Sequence, residues 1–347
     1  MLVLKDLSVV IVNYRCWEKL SKCLNSLITI NEAYFTFEVI VVDNASHDKM
    51  LGEFRVLYPQ YRFIQNSGNY GFASGCNLGA SNANGKYLLF LNPDTIVSGK
   101  ALSAMLDQAK VSKANSIISC RQIKKNGNED KPYGIFPSPL TLTGWSRAFA
   151  RLLKLNNKLL QDERFIFPDW ISGSVVMMSR ISFNTIGGWN ERFWMYFEDV
   201  DLCQRAKEAG GTVFLLKSVT IVHNHGGSSR SNNRIIALTK TEVNISRHSY
   251  ISLHEHGFKG AFMQTFLVLN NVLSGFIPAL LGLFLFFNKT FLTSTNIYLN
   301  LLNYYFNALL KDTWISPRSV MYAKFSPNDH YPDEKLVPLS EDNTKRA

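Results

Sequence analysis

Cysteine, charge and regularly spaced glycine are the scarce features of this 347-residue sequence. The five cysteines, Cys16, Cys23, Cys76, Cys120 and Cys203, are odd in number and widely scattered. They form neither a disulfide framework nor a CxxC zinc pattern, which points to a reducing, cytosolic setting. Charged residues are 18% of the chain and hydrophobic ones 46%, so wholesale disorder is excluded and a sizeable core is available. No GxGxxG spacing occurs, which removes a dinucleotide-binding dehydrogenase. There is no internal repeat and no recognised RNA- or DNA-binding motif, so nucleic acid is not expected as a partner. No basic segment followed by an apolar one opens the chain, and no signal peptide is read there. Acidic residues are also outnumbered. The net charge of +10 favours anionic partners such as nucleotide phosphates or an anionic membrane surface.

What is present begins with alternating strand and helix signals. Leu7 to Val12 is a short β-branched run of the kind buried in a parallel sheet. A helical pattern with Trp17, Leu20, Cys23, Leu24 and Leu27 on one side follows, then apolar runs at Phe37 to Val42, Tyr61 to Ile64 and Tyr87 to Leu91, with helices between them. This order predicts an α/β fold, a mostly parallel twisted sheet flanked by helices. Ligands of such sheets bind beyond the carboxyl ends of the strands.

Those ends carry the polar residues. Asp43 leaves the second strand, placed for a ribose or base, with a helix cap as the plain alternative. The stretch Asn66 to Gly79 puts glycines at a strand-to-helix turn, where backbone can approach an anion closely. Asp94 follows the fourth strand in Asn92-Pro93-Asp94, where a carboxylate can hold Mg²⁺ or Mn²⁺ against a departing diphosphate. It lies several residues too early to cap the helix at Gly99 to Val111. Glu198, Asp199 and Asp201 crowd the mouth of a helix behind Trp189, Trp194 and Tyr196. One acid there is ordinary helix-dipole pairing. Three beneath aromatic residues suggest a base for an acceptor hydroxyl, with rings for sugar stacking. His223 closes a strand and can reach the metal or diphosphate together with Asp94.

Taken in order, SVVIVNYR, VVDNAS, NYGFASGCNLG, FLNPD, WISGSVVMMSR, GGWNERFWMYFEDVDLCQR and His223-x-x-Gly226-x-Ser228 resemble glycosyltransferase family 2, in its bacterial rhamnosyltransferase-like branch, over roughly residues 7 to 230. The resemblance implies a GT-A fold and an inverting single displacement from a dTDP- or UDP-linked sugar, dTDP-L-rhamnose first. It places Asn13, Asp43, Asn69, Gly71, Asn77, Asn92 and Asp94 along the donor. Asp94 and His223 would hold the metal, Asp199 would be the base with Glu198 its rival, and Trp170, Trp189, Trp194 and Asp201 would lie toward the acceptor. Asn92-Pro93-Asp94 stands where many GT-A enzymes have Asp-x-Asp, one carboxylate fewer. Galactofuranosyl or other hexosyl transfer is the nearest alternative, and a non-catalytic sugar-nucleotide or glycan-binding module the alternative of another kind.

Charge also vanishes from Gly260 to Asn288 and from Thr290 to Leu310. We therefore divide the chain into a catalytic domain (1–230), a helical, largely uncharged C-terminal extension (231–325) and a polar tail (326–347). The extension is expected to lie on or dip into a membrane, with a subdomain or homodimer contact as the second reading and a spanning hairpin as the third. Between Trp145 and Leu160, Arg147, Arg151, Lys154 and Lys158 share one helical face and Trp145, Phe149, Leu152 and Leu159 the other, an interfacial pattern. Both features suit a glycan or polyprenyl-diphosphate-linked acceptor at the inner face of the bacterial cytoplasmic membrane.

Overall fold

The computed structural model of the protein describes residues 4–31, 34–155, 159–224, 232–285 and 287–322. Lys158, the Gly226 to Ser228 stretch and the tail from 326 lie outside the described residues.

The chain opens with β1 (Leu7–Asn13), α1 (Trp17–Ile28), β2 (Phe37–Asp43), α2 (Met50–Leu57), β3 (Arg62–Gln65), α3 (Gly71–Ser81), β4 (Tyr87–Leu91), β5 (Thr95–Ile96) and α4 (Gly99–Val111). Next come β6 (Ile117–Ile123), β7 (Glu129–Asp130), β8 (Tyr133–Gly134), α5 (Gly144–Leu152), β9 (Leu160–Gln161), β10 (Phe165–Phe167), β11 (Trp170–Ile171), β12 (Val175–Ser179) and α6 (Arg180–Thr185). The chain continues through α7 (Glu198–Glu208), β13 (Val213–His223), α8 (Asn233–His254), α9 (Gly257–Phe284) and α10 (Lys289–Leu310).

The main sheet runs β3-β2-β1-β4-β12-β6-β13-β10-β9. Its first four strands are parallel, as the β-branched runs joined by helices require. β12 then enters antiparallel between β4 and β6, while β6 and β13 are parallel again. Both faces of β1 are buried, so alternate side chains serve different layers. Val9 and Ile11 pack under α1, α2 and α4, where Leu20, Leu24, Phe54 and Leu102 meet them. Val10 and Val12 pack under α3 and α7 with Ala73, Cys76, Leu202 and Cys203. Each fully buried aliphatic side chain stabilises the fold by about 1.5–3 kcal/mol.

Helices α8 to α10 carry their own cluster, Ile245, Leu301, Tyr304, Tyr305 and Ala308. α8 also grips the sheet domain. Ser246 donates to Met195 O at 2.8 Å, Arg192 donates to Ser249 and Ser252, and His254 lies 2.8 Å from Asp201 Oδ1. The helices and the sheet domain are therefore in direct contact through α8. Alpha-helix α9 is long and apolar enough to cross a membrane by length and composition, and it contains Pro278. Its Leu273, Ile277 and Phe284 and the Phe306, Leu309 and Leu310 of α10 are exposed.

The amphipathic element is shorter than its periodicity predicts. α5 stops at Leu152, because Lys154 turns into the left-handed region and Leu155 N–H bonds back to Ala150 O. Its apolar face does not enter the core: Trp145 is 76% exposed and Leu152 79%.

Candidate active site

The strand pairings assemble the site. Beyond β4 the chain forms β5, and β5 pairs antiparallel with the end of β13, putting Thr95 opposite His223. A register shift in β13 between Leu216 and Thr220 carries the strand far enough to reach it. Asn224 N–H then bonds to Asp94 O at 2.9 Å, and the side chains of Asp94 and His223 meet at 3.2 Å. Asp94 caps nothing, since Ser98 is the N-cap of α4. On the other side of Asn92, its N–H bonds to Ser174 O and draws the Ser172 to Ser174 turn alongside.

Gly173 N–H in that turn donates to Asp199 Oδ2 at 3.0 Å, and Val200 N–H donates to its Oδ1 at 2.9 Å. Both bonds favour the ionised carboxylate, yet burial raises its pKa above the ordinary carboxylate range. Glu198, one residue earlier, is 6% exposed and its Oε2 has no partner among the described residues. Burial foremost, then the Asp199 and Asp201 charges, push the Glu198 carboxyl well up. Both carboxyls are thus raised, Glu198 the more strongly, while Asp199 alone of the two accepts from Gly173 N–H. Tyr196 and Phe197 precede them with φ of +70° and +67°, a strained approach that aims both rings at the cleft.

Asp94, Glu198, Asp199 and His223 line one cavity of about 750 Å³. Asn69, Gly71 and Asn92 share its wall, as does Tyr196. Gly71 has φ of +90°, and a Cβ there would sit 2.0 Å from Trp194 O. Asn69 Oδ1 accepts from Asn44 Nδ2 at 3.0 Å. Asn13 and Asp43 lie fully buried at the ends of β1 and β2, behind this wall. Asp43 accepts from Ser46 Oγ at 2.5 Å and from Ser46 N–H at 3.1 Å, with Asn13 Nδ2 at 3.4 Å. It does not cap α2, and burial raises its pKa.

Asn77, Trp189, Trp194 and Asp201, like Asn13 and Asp43, do not line this cavity. Asn77 turns away from the cavity, bonding to both the N–H and O of Trp189 and to Glu191 Oε1. Trp189 is 1% exposed and packs edge-on against Phe72 and Phe90 in the core. Trp194 is buried and donates its ring N–H to Asn69 O at 3.0 Å, bracing the donor wall from behind. Asp201 is fully buried between Arg205, His254 and Asn190. The acceptor-side rings that do face open space are Trp170, Tyr196 and Phe197.

Several contributors gave no sequence signal. Lys19 reaches Asp94 Oδ2 at 3.7 Å. Gln122 Oε1 lies 2.8 Å from His223 Nδ1 and accepts from Ser174 Oγ at 3.0 Å. Thr239, Lys240 and Val243 of α8 close the cavity opposite the sheet.

The residues fit a divalent cation. Gln122 Oε1 holds His223 Nδ1 at 2.8 Å, so that Nε2 faces Asp94 Oδ1 at 3.2 Å. An imidazole nitrogen and a carboxylate oxygen side by side are the donor types that divalent cations take. Among the described residues no cluster of three His, Cys, Asp or Glu side chains exists. An ion held by two protein ligands takes its other oxygens from phosphate and water, which is how Mg²⁺ is usually bound.

A mixed sheet with an acidic helix mouth and an Asp–His pair at its strand ends defines a sugar-nucleotide transferase of the GT-A kind. Residues 8–187 match the family described as glycosyl transferase family 2, and residues 167–225 one described as the N-terminal domain of galactosyltransferase. The chain belongs to glycosyl transferase family 2 and is a glycosyltransferase. It is 28% identical over 227 residues to the low-salt glycan biosynthesis hexosyltransferase Agl10 of Haloferax volcanii, covering 64% of this chain and 68% of that one. An N-acetylglucosaminyl-diphospho-decaprenol L-rhamnosyltransferase of Mycobacterium tuberculosis is 26% identical over 248 residues, 64% of this chain and 77% of the relative. The rhamnosyltransferase WbbL of Escherichia coli is 24% identical over 233 residues, 64% and 85%. Among solved structures, GalNAc-T7 with UDP, GalNAc and Mn²⁺ superposes with a TM-score of 0.51 at 14% identity. That match covers 77% of this chain and about half, 54%, of the other, and bears on the fold alone.

Proposed function

We propose that the protein transfers a sugar, L-rhamnose from dTDP-L-rhamnose in the first instance, to a hydroxyl of a glycan or lipid-linked acceptor with inversion at the anomeric carbon. The observation that carries this reading is the convergence of Asp94, His223, Glu198 and Asp199 on one cavity. The names of the two rhamnosyltransferase relatives support the choice of sugar.

Asp199 is the base. Its carboxylate is held by Gly173 and Val200 and faces the cavity, so it takes the acceptor proton as that oxygen bonds to the anomeric carbon. The bond from the anomeric carbon to the diphosphate oxygen breaks with its electron pair on the leaving nucleotide. Glu198 lines the same cavity beside Asp199 and faces the donor. Asp94 and His223 would hold Mg²⁺ or Mn²⁺, which would supply neutralising charge for the diphosphate. Lys19 adds a fixed positive charge from α1. Positioning both substrates in one cleft supplies much of the acceleration.

We place the enzyme at the inner face of a bacterial cytoplasmic membrane, bound peripherally through the exposed apolar faces of α5, α9 and α10, aided by the basic excess. A panel of nucleotide sugars tests the donor, reading nucleoside diphosphate release with and without membrane lipid extract. Release from dTDP-L-rhamnose above all others supports the reading, and preference for UDP-galactofuranose redirects it. Flotation with anionic liposomes tests the membrane contact, and a protein that stays at the bottom of the gradient removes it.

A further inference from the structure

Asp199 stands between two cavities. On the side away from Asp94 and His223 lies a second one of about 740 Å³, which shares Ser172, Tyr196, Asp199 and Val243 with the first. If the first holds the donor, the second receives the molecule whose hydroxyl meets Asp199.

Its walls combine two chemistries. Pro137, Leu140, Leu142, Leu155, Trp170 and Phe197 give it an apolar lining. Into this lining project three arginines, Arg147 and Arg151 one turn apart on α5 and Arg247 from α8. The Arg247 guanidinium sits 5.9 Å above the Phe197 ring. Among the described residues no carboxylate lies within ion-pair distance of any of the three. Burial, and after it the neighbouring Arg147 charge, lower the Arg247 pKa. Asp130 and Asp199 line the same cavity without pairing with these arginines, and Arg247 is partly desolvated, so the gathered like charge favours an added anion. Planar guanidinium forks match phosphate oxygens in pairs.

The surroundings indicate what else that anion carries. The outer face of α5 exposes Trp145, Phe149 and Leu152. Leu142, at the cavity wall, packs against Met263 and Leu267, so α9 with its exposed apolar face starts at the cavity's rim. A ligand leaving the cavity therefore runs onto apolar helix surface.

We propose that Arg247, with Arg147 and Arg151, forms the subsite for the diphosphate of the acceptor, holding it between the sugar at Asp199 and an apolar tail that leaves along α5 and α9. This rests on the transferase reading above and adds a recognition element to its acceptor side.

The test uses the full chain saturated with UDP or dTDP, so that the nucleotide site is filled. Calorimetry then compares farnesyl diphosphate, farnesol and inorganic pyrophosphate as probes. Farnesyl diphosphate should bind more tightly than either of the others. Arg247→Met, which keeps bulk and removes charge, should weaken it about 10–100-fold, and Arg247→Lys should restore part of the loss. Arg147→Gln, on an exposed helix face, should weaken it severalfold and serves if Arg247→Met does not fold. Farnesol binding should be alike in wild type and variants. Farnesyl diphosphate affinity indifferent to both arginines overturns the subsite. Pyrophosphate binding as tightly as farnesyl diphosphate assigns the arginines to a soluble phosphate and overturns the tailed acceptor. Failure of the wild type to bind or hydrolyse any nucleotide sugar would instead defeat the transferase reading, and these arms tell the two apart.

Discussion

Gly173 donates its backbone N–H to Asp199 across a 3.0 Å hydrogen bond, joining the turn before β12 to the first turn of α7. The bond fixes the carboxylate where both cavities meet. Asp199→Asn should lower turnover by about 10²–10⁴-fold, the span attributed to a positioned general base. Nucleotide-sugar affinity should stay within severalfold, as titration calorimetry would show. Near-normal turnover would move the base to Glu198.

Glu198 gives a pH signature in stability. Its folded pKa is raised, so the folded chain binds this proton more tightly than the unfolded chain does. The stabilisation is fully present below the unfolded carboxylate pKa and is lost as pH rises through the folded one. Glu198→Gln should be more stable than wild type at neutral pH and should flatten the pH dependence from acid to neutral. Melting temperatures taken across that range check it. A variant that follows the wild-type curve would show that Glu198 is ionised in the fold.

Chelation should reduce nucleotide-sugar binding, and Asp94→Ala should abolish its dependence on Mn²⁺. Gln122→Ala removes the side chain that orients His223 and should cost about 10–100-fold in metal affinity. Manganese titration of the wild type and the two variants reads this directly. An enzyme indifferent to chelator would show the ion is dispensable.

Gly71→Ala places a methyl group 2.0 Å from Trp194 O at a backbone φ of +90°. Strain of this kind costs about 1–3 kcal/mol, and the Trp194 to Phe197 segment would have to yield. Both denaturant midpoint and turnover should fall. An unchanged midpoint would mean the segment has slack that the packing does not show.

Trp189 is a core residue, and its replacement should be felt in stability before acceptor use. Trp189→Ala should destabilise by about 3–5 kcal/mol. Trp189→Phe should fold, with an acceptor KM near wild type. A large KM effect in the Phe variant would bring the ring back to the substrate.

The parallel half of the sheet was legible because its strands are short apolar runs with a polar residue at or just past the end, as at Val12-Asn13, Val42-Asp43 and Leu91-Asn92. Gathering Asp94 and His223 needs the β5–β13 pairing, and two-residue β5 is too short to leave a periodic trace. The acids of α7 looked equivalent in sequence. Which one stays open to the cleft depends on His254, 53 residues beyond Asp201, and on Gly173, 26 residues before Asp199. Side chains whose partners lie far along the chain, as Trp189 lies 112 residues from Asn77, look like binding residues until those partners are seen. The helix at 145–160 failed at its end because Lys154 adopts a left-handed turn that periodicity does not encode.

Helix α8 is both a wall and a brace, since Lys240 and Val243 face the cleft while Ser246 holds the carbonyl of Met195. A polypeptide cut between the sheet and this helix would keep its nucleotide floor but lose the roof above it. The strained Tyr196–Phe197 corner would lose its anchor in the same stroke. Any displacement of α8 would therefore be passed through the Met195 carbonyl to the two residues that follow it.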